Sequence, residues 1–157
     1  MAIVSRCIFQ AVRWAARKGL REDGQSSAET RKSNARAAGV RGETYAYWYL
    51  RRHGYVFVAR NYMPRGIKGE LDLVGYDGET LAFVEVRTRT VREELSALPE
   101  LSITTDKQRV VIRTAKRFLA ERRVKESACR FDVLAIDNHP GLPPEVRLHK
   151  DAFSPQM

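Results

Sequence analysis

Apolar residues recur at helical spacing in three segments of the chain. They are residues 3–19, Ala35–His53 and Thr104–Arg123. In each segment apolar side chains lie three or four residues apart, which is typical of a helix that buries one face. Gly54 follows the second segment as a helix-ending residue, and threonines at the start of the third can cap it. The pattern therefore predicts three helices.

Segments rich in β-branched and aromatic residues predict strands between and after these helices. The predicted strands are Tyr55–Tyr62, Glu70–Tyr76, Thr80–Thr88 and Arg130–Asp137, with Glu145–Leu148 as an additional edge strand. Asp77-Gly78 is a hairpin signal between the second and third strands. An antiparallel hairpin followed by a helical crossover to another strand predicts an α/β fold, with a mixed β-sheet flanked by helices.

The distribution of polar residues divides the chain into four parts. Residues 1–20 form a basic amphipathic helix, 21–35 a flexible linker, 36–150 the folded domain and 151–157 a loose tail. The linker contains no large apolar side chain and cannot order itself by burial. The N-terminal helix packs on the domain or a partner, or it lies on a membrane surface. Trp14 is its one strong aromatic anchor, so membrane contact through residues 3–19 is the less favoured alternative.

The charge balance narrows the choice of partner. Lys and Arg number 28 against 19 Asp and Glu, which gives a formal net charge of +9. A basic chain suits a phosphate backbone or an anionic surface. Cys7 and Cys129 lack the spacing of a disulfide framework or a zinc site. No apolar run reaches the roughly 20 residues of a membrane span, and basic residues interrupt the N-terminal apolar run. We therefore expect a cytoplasmic protein, and the charge alone leaves nucleic acid and an anionic surface both open as its partner.

The predicted hairpin brings carboxylates together. Glu70 and Asp72 point to one side of their strand, and Glu85 and Arg87 share a side of the return strand. A two-residue Asp-Gly loop sets Glu85 opposite Glu70, whereas a four-residue loop sets it opposite Asp72. Facing carboxylates repel, and Glu85 lies within an apolar run, so a divalent cation such as Mg²⁺ would stabilise both. The alternative is a solvent-facing hairpin whose acidic residues pair with Arg87 and Arg89.

Six short motifs occur in a recognisable order. They are RGE at 41–43, LRRHGYVFVARN at 50–61, GELDLV at 69–74, FVEVRTR at 83–89, TDKQR at 105–109 and RFDVLAI at 130–136. Together they resemble the YraN-type family of predicted endonucleases, which is similar to archaeal Holliday junction resolvases and to the wider PD-(D/E)xK nucleases. The resemblance implies a restriction-endonuclease-like fold and a metal-dependent endonuclease acting on DNA rather than RNA, in branched or structured form. Resolvase-like enzymes act as homodimers, although no feature of this sequence indicates a dimer.

The resemblance also implies a site. Its metal ligands, for Mg²⁺ or Mn²⁺, would be Glu43, Asp72 and Glu85. Arg87 would join them in catalysis, at a position where the superfamily has lysine. Arginine stays protonated, so it can hold a phosphate but cannot act as a general base. Lys68 or Lys107 could supply a lysine from elsewhere. A nucleic-acid-binding module of the same fold without catalysis is the competing hypothesis.

Basic side chains around the predicted crossover helix are candidates for contacts with phosphates. The residues are Arg109, Arg113 and Arg117, spaced along one helix face, together with Arg89 and Lys107. The alternative for each is an ordinary solvated position. No helix module that reads bases is present in the sequence, so we expect the contacts to be with the backbone of the nucleic acid.

Overall fold

The computed structural model of the protein describes residues 8–14, 28–91, 103–124, 128–139 and 141–155. Within these ranges, three helices and one five-stranded sheet form a mixed α/β fold. The helices are α1 (8–14), α2 (Ala28–Arg52) and α3 (Thr105–Arg122). The strands are β1 (Val56–Tyr62), β2 (Leu71–Asp77), β3 (Thr80–Thr90), β4 (Cys129–Asn138) and β5 (Glu145–Phe153). The predicted order of elements is confirmed, and the additional edge strand is present.

The strands lie side by side in chain order, from β1 to β5. Neighbouring strands are antiparallel except β3 and β4, which run parallel. A parallel pair cannot be closed by a tight turn, and α3 makes the crossover that joins it. The predicted mixed sheet with a helical crossover is therefore confirmed.

Two apolar clusters lie on opposite faces of the sheet. On one face Leu50 of α2 packs with Leu73 and Val84. On the other face α3 packs its apolar stripe against Val74 and Phe83. Side chains alternate between faces along a strand, so neighbouring residues enter different clusters. The sheet is thus the middle layer between α2 and α3.

The helical segment α1 packs against α2. The ring of Phe9 is buried and lies 5.4 Å from the ring of Tyr45 and 6.4 Å from that of Tyr49, centroid to centroid. Packing on the domain is thereby confirmed for residues 8–14. Phe9 is the buried anchor of the contact and Val12 packs beside it, whereas the exposed fraction of Trp14 is 60%. Within the described ranges, none of the helices has the length and apolar character needed to cross a bilayer.

Two predicted boundaries are wrong. Helix α2 begins at Ala28, inside the segment predicted as a linker, and residues 21–27 lie outside the described ranges. Residues 28–35 contain alanine, glutamate, arginine and lysine, whose intrinsic helix propensity acts without burial. At the other end, β5 runs to Phe153 through the first residues of the predicted loose tail. Phe153 stacks on Phe131, with 5.1 Å between ring centroids, and this packing extends the strand.

The β2–β3 hairpin closes one residue later than its sequence signal suggested. Asp77 pairs with Thr80, so the two-residue loop is Gly78-Glu79. Gly78 has a φ of 62°, a left-handed conformation that glycine adopts without strain. The register then pairs Leu73 with Val84. One residue further on it sets Asp72 across from Glu85, which is the second of the two predicted arrangements.

A buried carboxylate links β4 to β5. Asp132 is fully buried on β4. Its Oδ1 accepts hydrogen bonds from Arg130 Nε at 2.9 Å and from the backbone N–H of Asp151 at 3.0 Å. The hydroxyl of Tyr55 donates to its Oδ2 at 3.2 Å. These donors satisfy a charge that would otherwise strongly destabilise the core.

Candidate active site

Asp72 lies where β2 and β3 stop pairing. Backbone pairing of the two strands ends at Leu73 and Val84, and beyond this point the side chain of Asp72 bonds to β3. Its Oδ2 accepts a hydrogen bond from the backbone N–H of Val86 at 2.7 Å. By strand parity Asp72 and Glu85 share the α3 face of the sheet. The two carboxylates are therefore neighbours on one face, as the hairpin pattern predicted.

Glu85 is the buried member of the pair. Its side chain is 4% exposed, and its Oε1 lies 3.1 Å from Nζ of Lys107. Nη1 of Arg87 is farther away, at 3.8 Å from the same oxygen. The lysine of the site thus comes from α3 and not from the strand. Sequence alone left Lys68 and Lys107 both open as its source and grouped Lys107 with the phosphate contacts.

The cap of α3 positions this lysine. Thr104 has an extended backbone, and its Oγ1 accepts a hydrogen bond from the backbone N–H of Lys107 at 3.3 Å. This contact fixes the first turn of the helix. Lys107 is the third residue of α3 and projects from that turn towards β3. A conventional capping residue therefore sets the direction of the side chain that pairs with Glu85.

Glu43 approaches the acidic pair from α2. A close contact sets its position, because a Cβ built on the preceding Gly42 would lie 2.0 Å from Oγ1 of Thr88 on β3. The carboxylate of Glu43 accepts a hydrogen bond from the side-chain amide of Asn61, at the end of β1. The negative charge of Glu43 also acts on Asp72, where it adds a small increase in pKa. Sequence reasoning missed Asn61. Its only signal was its place in the ARN motif, which contains no carboxylate and therefore did not indicate a site residue.

Burial perturbs the pKa values of both acids, and the charge of Glu85 adds to the perturbation of Asp72. Burial, reinforced by the charge of Glu85, raises the pKa of Asp72 from 3.8 to about 7. Burial likewise raises the pKa of Glu85, against the opposing influence of Lys107 and Arg87. Both directions arise because the ionised forms lose solvent, and for Asp72 also because it lies next to a like charge. A proton or a cation is needed to neutralise the pair, and such perturbation is characteristic of functional sites.

The acidic pair offers oxygen donors of the kind that a divalent metal such as Mg²⁺ requires. Among the described residues, no group of three or more His, Cys, Asp or Glu side chains is assembled as a metal site. Glu43 is accordingly not part of such a group. Mg²⁺ needs only one or two carboxylates, because waters and substrate phosphates complete its shell. The oxygen donors of Asp72 and Glu85 fit that requirement.

Two of the predicted phosphate contacts are occupied by partners within the chain. Nε of Arg89 lies 2.6 Å from Oδ1 of Asp137, a buried carboxylate of β4. Nε of Arg117 lies 2.7 Å from Oε1 of Glu121, one helical turn further along α3. Both arginines therefore have structural roles that the sequence pattern did not show.

The other two predicted arginines of α3 keep charge available to solvent. The side chain of Arg109 is 75% exposed and pairs with Asp106 at 3.3 Å. Arg113 donates from Nη2 to the backbone carbonyl of Lys68 at 2.9 Å. A carbonyl is neutral, so this contact does not balance the positive charge of Arg113.

Comparison with known proteins identifies a family and relatives that cover most of the chain. A model of the uncharacterised protein family UPF0102 matches residues 42–136, which include the acidic pair and the crossover helix. A UPF0102 protein from Geobacter metallireducens is 39% identical over 118 residues, covering 75% of this chain and 93% of the relative. One from Lachnoclostridium phytofermentans is 43% identical over 121 residues, covering 76% and 95%. One from Nitrosospira multiformis is 45% identical over 106 residues, covering 68% and 85%.

Proposed function

The chain belongs to the uncharacterised protein family UPF0102, and we propose that it is a metal-dependent nuclease that hydrolyses phosphodiester bonds. The observation that carries the proposal is the buried pair Asp72 and Glu85, with Nζ of Lys107 3.1 Å from Glu85. The site combines two acids and one lysine at a strand end, between an antiparallel hairpin and a crossover helix. This combination supports assignment to the restriction-endonuclease-like fold and the PD-(D/E)xK nucleases. The resemblance to YraN-type endonucleases supports the same assignment.

Asp72 and Glu85 would hold Mg²⁺ or Mn²⁺. When bound, the metal supplies an activated water and stabilises the charge that develops on the phosphate. The backbone N–H of Val86 orients the carboxylate of Asp72, so one of its oxygens is fixed before any ligand arrives. Glu85 is held by burial within β3. The two donors are therefore preorganised by the sheet.

The cations of the site have separate roles. The ammonium of Lys107 is a hydrogen-bond donor that can orient water or a phosphate oxygen beside Glu85. Arg87, partly exposed at 33%, can donate to a phosphate from the open side of the site. Both stabilise negative charge on the substrate, which is the main demand of phosphoryl chemistry.

A binding module without catalysis is the second candidate. It is favoured by the ion pairs on Glu85, since Lys107 and Arg87 already neutralise part of its charge. It is also favoured by the absence of a three-ligand group among the residues that the structure describes. In this case the exposed arginines of α3, Arg109 and Arg113, would bind nucleic acid. Asp72 would remain protonated at pH values below its pKa of about 7.

Cleavage assays separate the two candidates. The substrates are linear duplex, single-stranded and branched DNA, with an RNA hairpin, each with Mg²⁺ or Mn²⁺. We propose that the substrate is DNA in a branched or structured form. We also propose that the protein is located in the cytoplasm. Asp72→Asn and Glu85→Gln should each abolish cleavage and preserve binding. Asp106→Asn is the matched control, since Asp106 is 89% exposed on α3 and should leave cleavage intact.

The outcomes are distinct. Cleavage by the wild type that both site variants lose supports the nuclease. Cleavage that survives in both site variants points to a contaminating enzyme and overturns the proposal. Binding without cleavage on any substrate, with either metal, leaves the binding module.

A further inference from the structure

A groove of about 840 Å³ lies between α3 and the end of β5. On the helix side it is lined by Arg109, Arg113 and Lys116, and on the strand side by Phe153 and Ser154. We call it the α3–β5 groove. Sequence reasoning did not find it, because it depends on β5 extending beyond its predicted end.

Among the residues that the structure describes, the lining of the groove contains three cations and no acidic residue, so its positive charge is not compensated by the lining. Arg109 has Asp106 as a neighbour outside the groove, but both side chains are well exposed and such pairs contribute little. Arg113 donates one hydrogen bond to the backbone carbonyl of Lys68, which carries no charge. Lys116 has no ion-pair partner in the described part of the chain. An anionic ligand would therefore meet three cations on one helix face.

The strand side of the groove adds apolar surface. Phe153 and Ile112 both line it and are only partly buried. Phe153 is held in place from behind, because it stacks on Phe131, which in turn stacks on Phe83 with 5.4 Å between centroids. Cations beside rigid aromatic and aliphatic surface suit a chain that offers both phosphates and exposed bases or sugars. A single strand of nucleic acid does so, whereas a duplex buries its bases.

We propose that the α3–β5 groove binds a single strand of nucleic acid, with phosphates on the α3 cations and sugars or bases against Phe153. The inference deepens the proposed function and rests on it for the class of partner. It also links the groove to the acidic pair. Arg113 contacts the carbonyl of Lys68, four residues before Asp72. A strand lying on α3 would thus pass close to the segment that leads into the site.

The test exploits two adjacent residues of α3 with different surroundings. Lys116 lines the groove, whereas Arg117 is paired with Glu121. Binding of the full chain to a fluorescein-labelled single strand of about 20 nucleotides, longer than the usual site sizes, is followed by anisotropy in EDTA across a salt series. Lys116→Gln is compared with Arg117→Gln, and Arg109→Gln/Lys116→Gln with Arg117→Gln/Arg122→Gln. Each pair of variants has equal net charge.

The expected sizes follow from counterion release. Each lost phosphate contact lowers the slope of log K against log salt by about 0.7 for a single strand. Taking about 1 M salt as the reference, Lys116→Gln should weaken binding about 8-fold at about 50 mM, and the double groove variant about 60-fold. The matched controls should change affinity by less than about 2-fold. A blunt duplex of the same sequence should bind more weakly than the single strand.

Equal losses in groove and control variants would overturn the proposal, as would wild-type binding that prefers the duplex or fails at low salt. Thermal melts verify that each variant is folded. The proposed nuclease is judged separately by cleavage. If Asp72→Asn abolishes cleavage while groove and control variants bind alike, the groove fails and the nuclease stands. If groove variants alone lose binding and the wild type never cleaves, the groove stands and the nuclease fails.

Discussion

Replacing Asp72 by asparagine should stabilise the metal-free protein at alkaline pH. Burial and the charge of Glu85 raise the pKa of Asp72 from 3.8 to about 7. Because the folded-state pKa is the higher one, the unfolded state binds fewer protons, and wild-type stability falls as pH rises from about 4 to about 7. A difference of about 3 in pKa corresponds to about 4 kcal/mol at 1.36 kcal/mol per pKa unit. Asparagine does not ionise and can still accept the N–H of Val86.

The measurement is urea denaturation in EDTA at several pH values. The variant should gain at most about 4 kcal/mol over the wild type near pH 8 and less than about 1 kcal/mol near pH 4. Added Mg²⁺ at pH 8 should raise the free energy of unfolding of the wild type, because a ligand that binds only the folded state stabilises it. The same addition should leave Asp72→Asn unchanged. Asp106→Asn, at an exposed position, supplies the baseline.

One pattern of results would refute the reasoning. If the difference between variant and wild type is the same at every pH, Asp72 does not titrate in this range and its carboxylate is not destabilised by its surroundings. Stabilisation of Asp72→Asn by Mg²⁺ equal to that of the wild type would separately place the metal elsewhere.

Three further predictions concern other parts of the structure. Lys107→Gln should lower the cleavage rate by about 10²–10³-fold, because it removes a donor that stabilises negative charge on the substrate. Arg87→Gln should lower the rate by less, and equal rate losses would contradict the separate roles given to the two cations. Asp132→Ala should reduce the free energy of unfolding by about 1–3 kcal/mol in urea titrations, because it removes the buried acceptor of the Tyr55 hydroxyl while Asp77 still pairs with Arg130; an unchanged free energy of unfolding would contradict this account. Gly42→Ala should cost about 1–3 kcal/mol through overpacking, and Thr88→Ala should restore part of that stability in the double variant; independent, additive effects would exclude the contact.

Strand parity made the acidic pair predictable. Alternation alone puts Asp72 and Glu85 on one face whenever the hairpin loop has an even number of residues. The choice between two registers could not be made from the Asp77-Gly78 signal. It depends on Gly78 occupying the first position of the loop with positive φ. The sequence pattern alone therefore predicts that the two acids share a face. Which residues lie directly across from each other depends on the geometry of the turn.

The partner of the pair could not be predicted in the same way. Lys107 reaches Glu85 only because α3 docks with its first turn over β3, and that docking depends on apolar contacts made further along the helix. Helical spacing also suggested a basic face that included Arg117. Glu121, four residues later, was a visible signal that this arginine could be paired. Lys116, its neighbour, was passed over because it lies off the i, i+4 series.

The delivery of Lys107 by the first turn of a helix has a consequence for native-state motion. Helix ends open with far smaller free energies than the strands beneath them. Opening of the turn that Thr104 caps would withdraw the ammonium from Glu85 while β2 and β3 remain paired. The acidic pair would then face solvent without its lysine in an otherwise folded molecule. The net charge of the site therefore depends on how often the first turn of α3 opens. Amide hydrogen exchange at residues 105–109 can measure this opening.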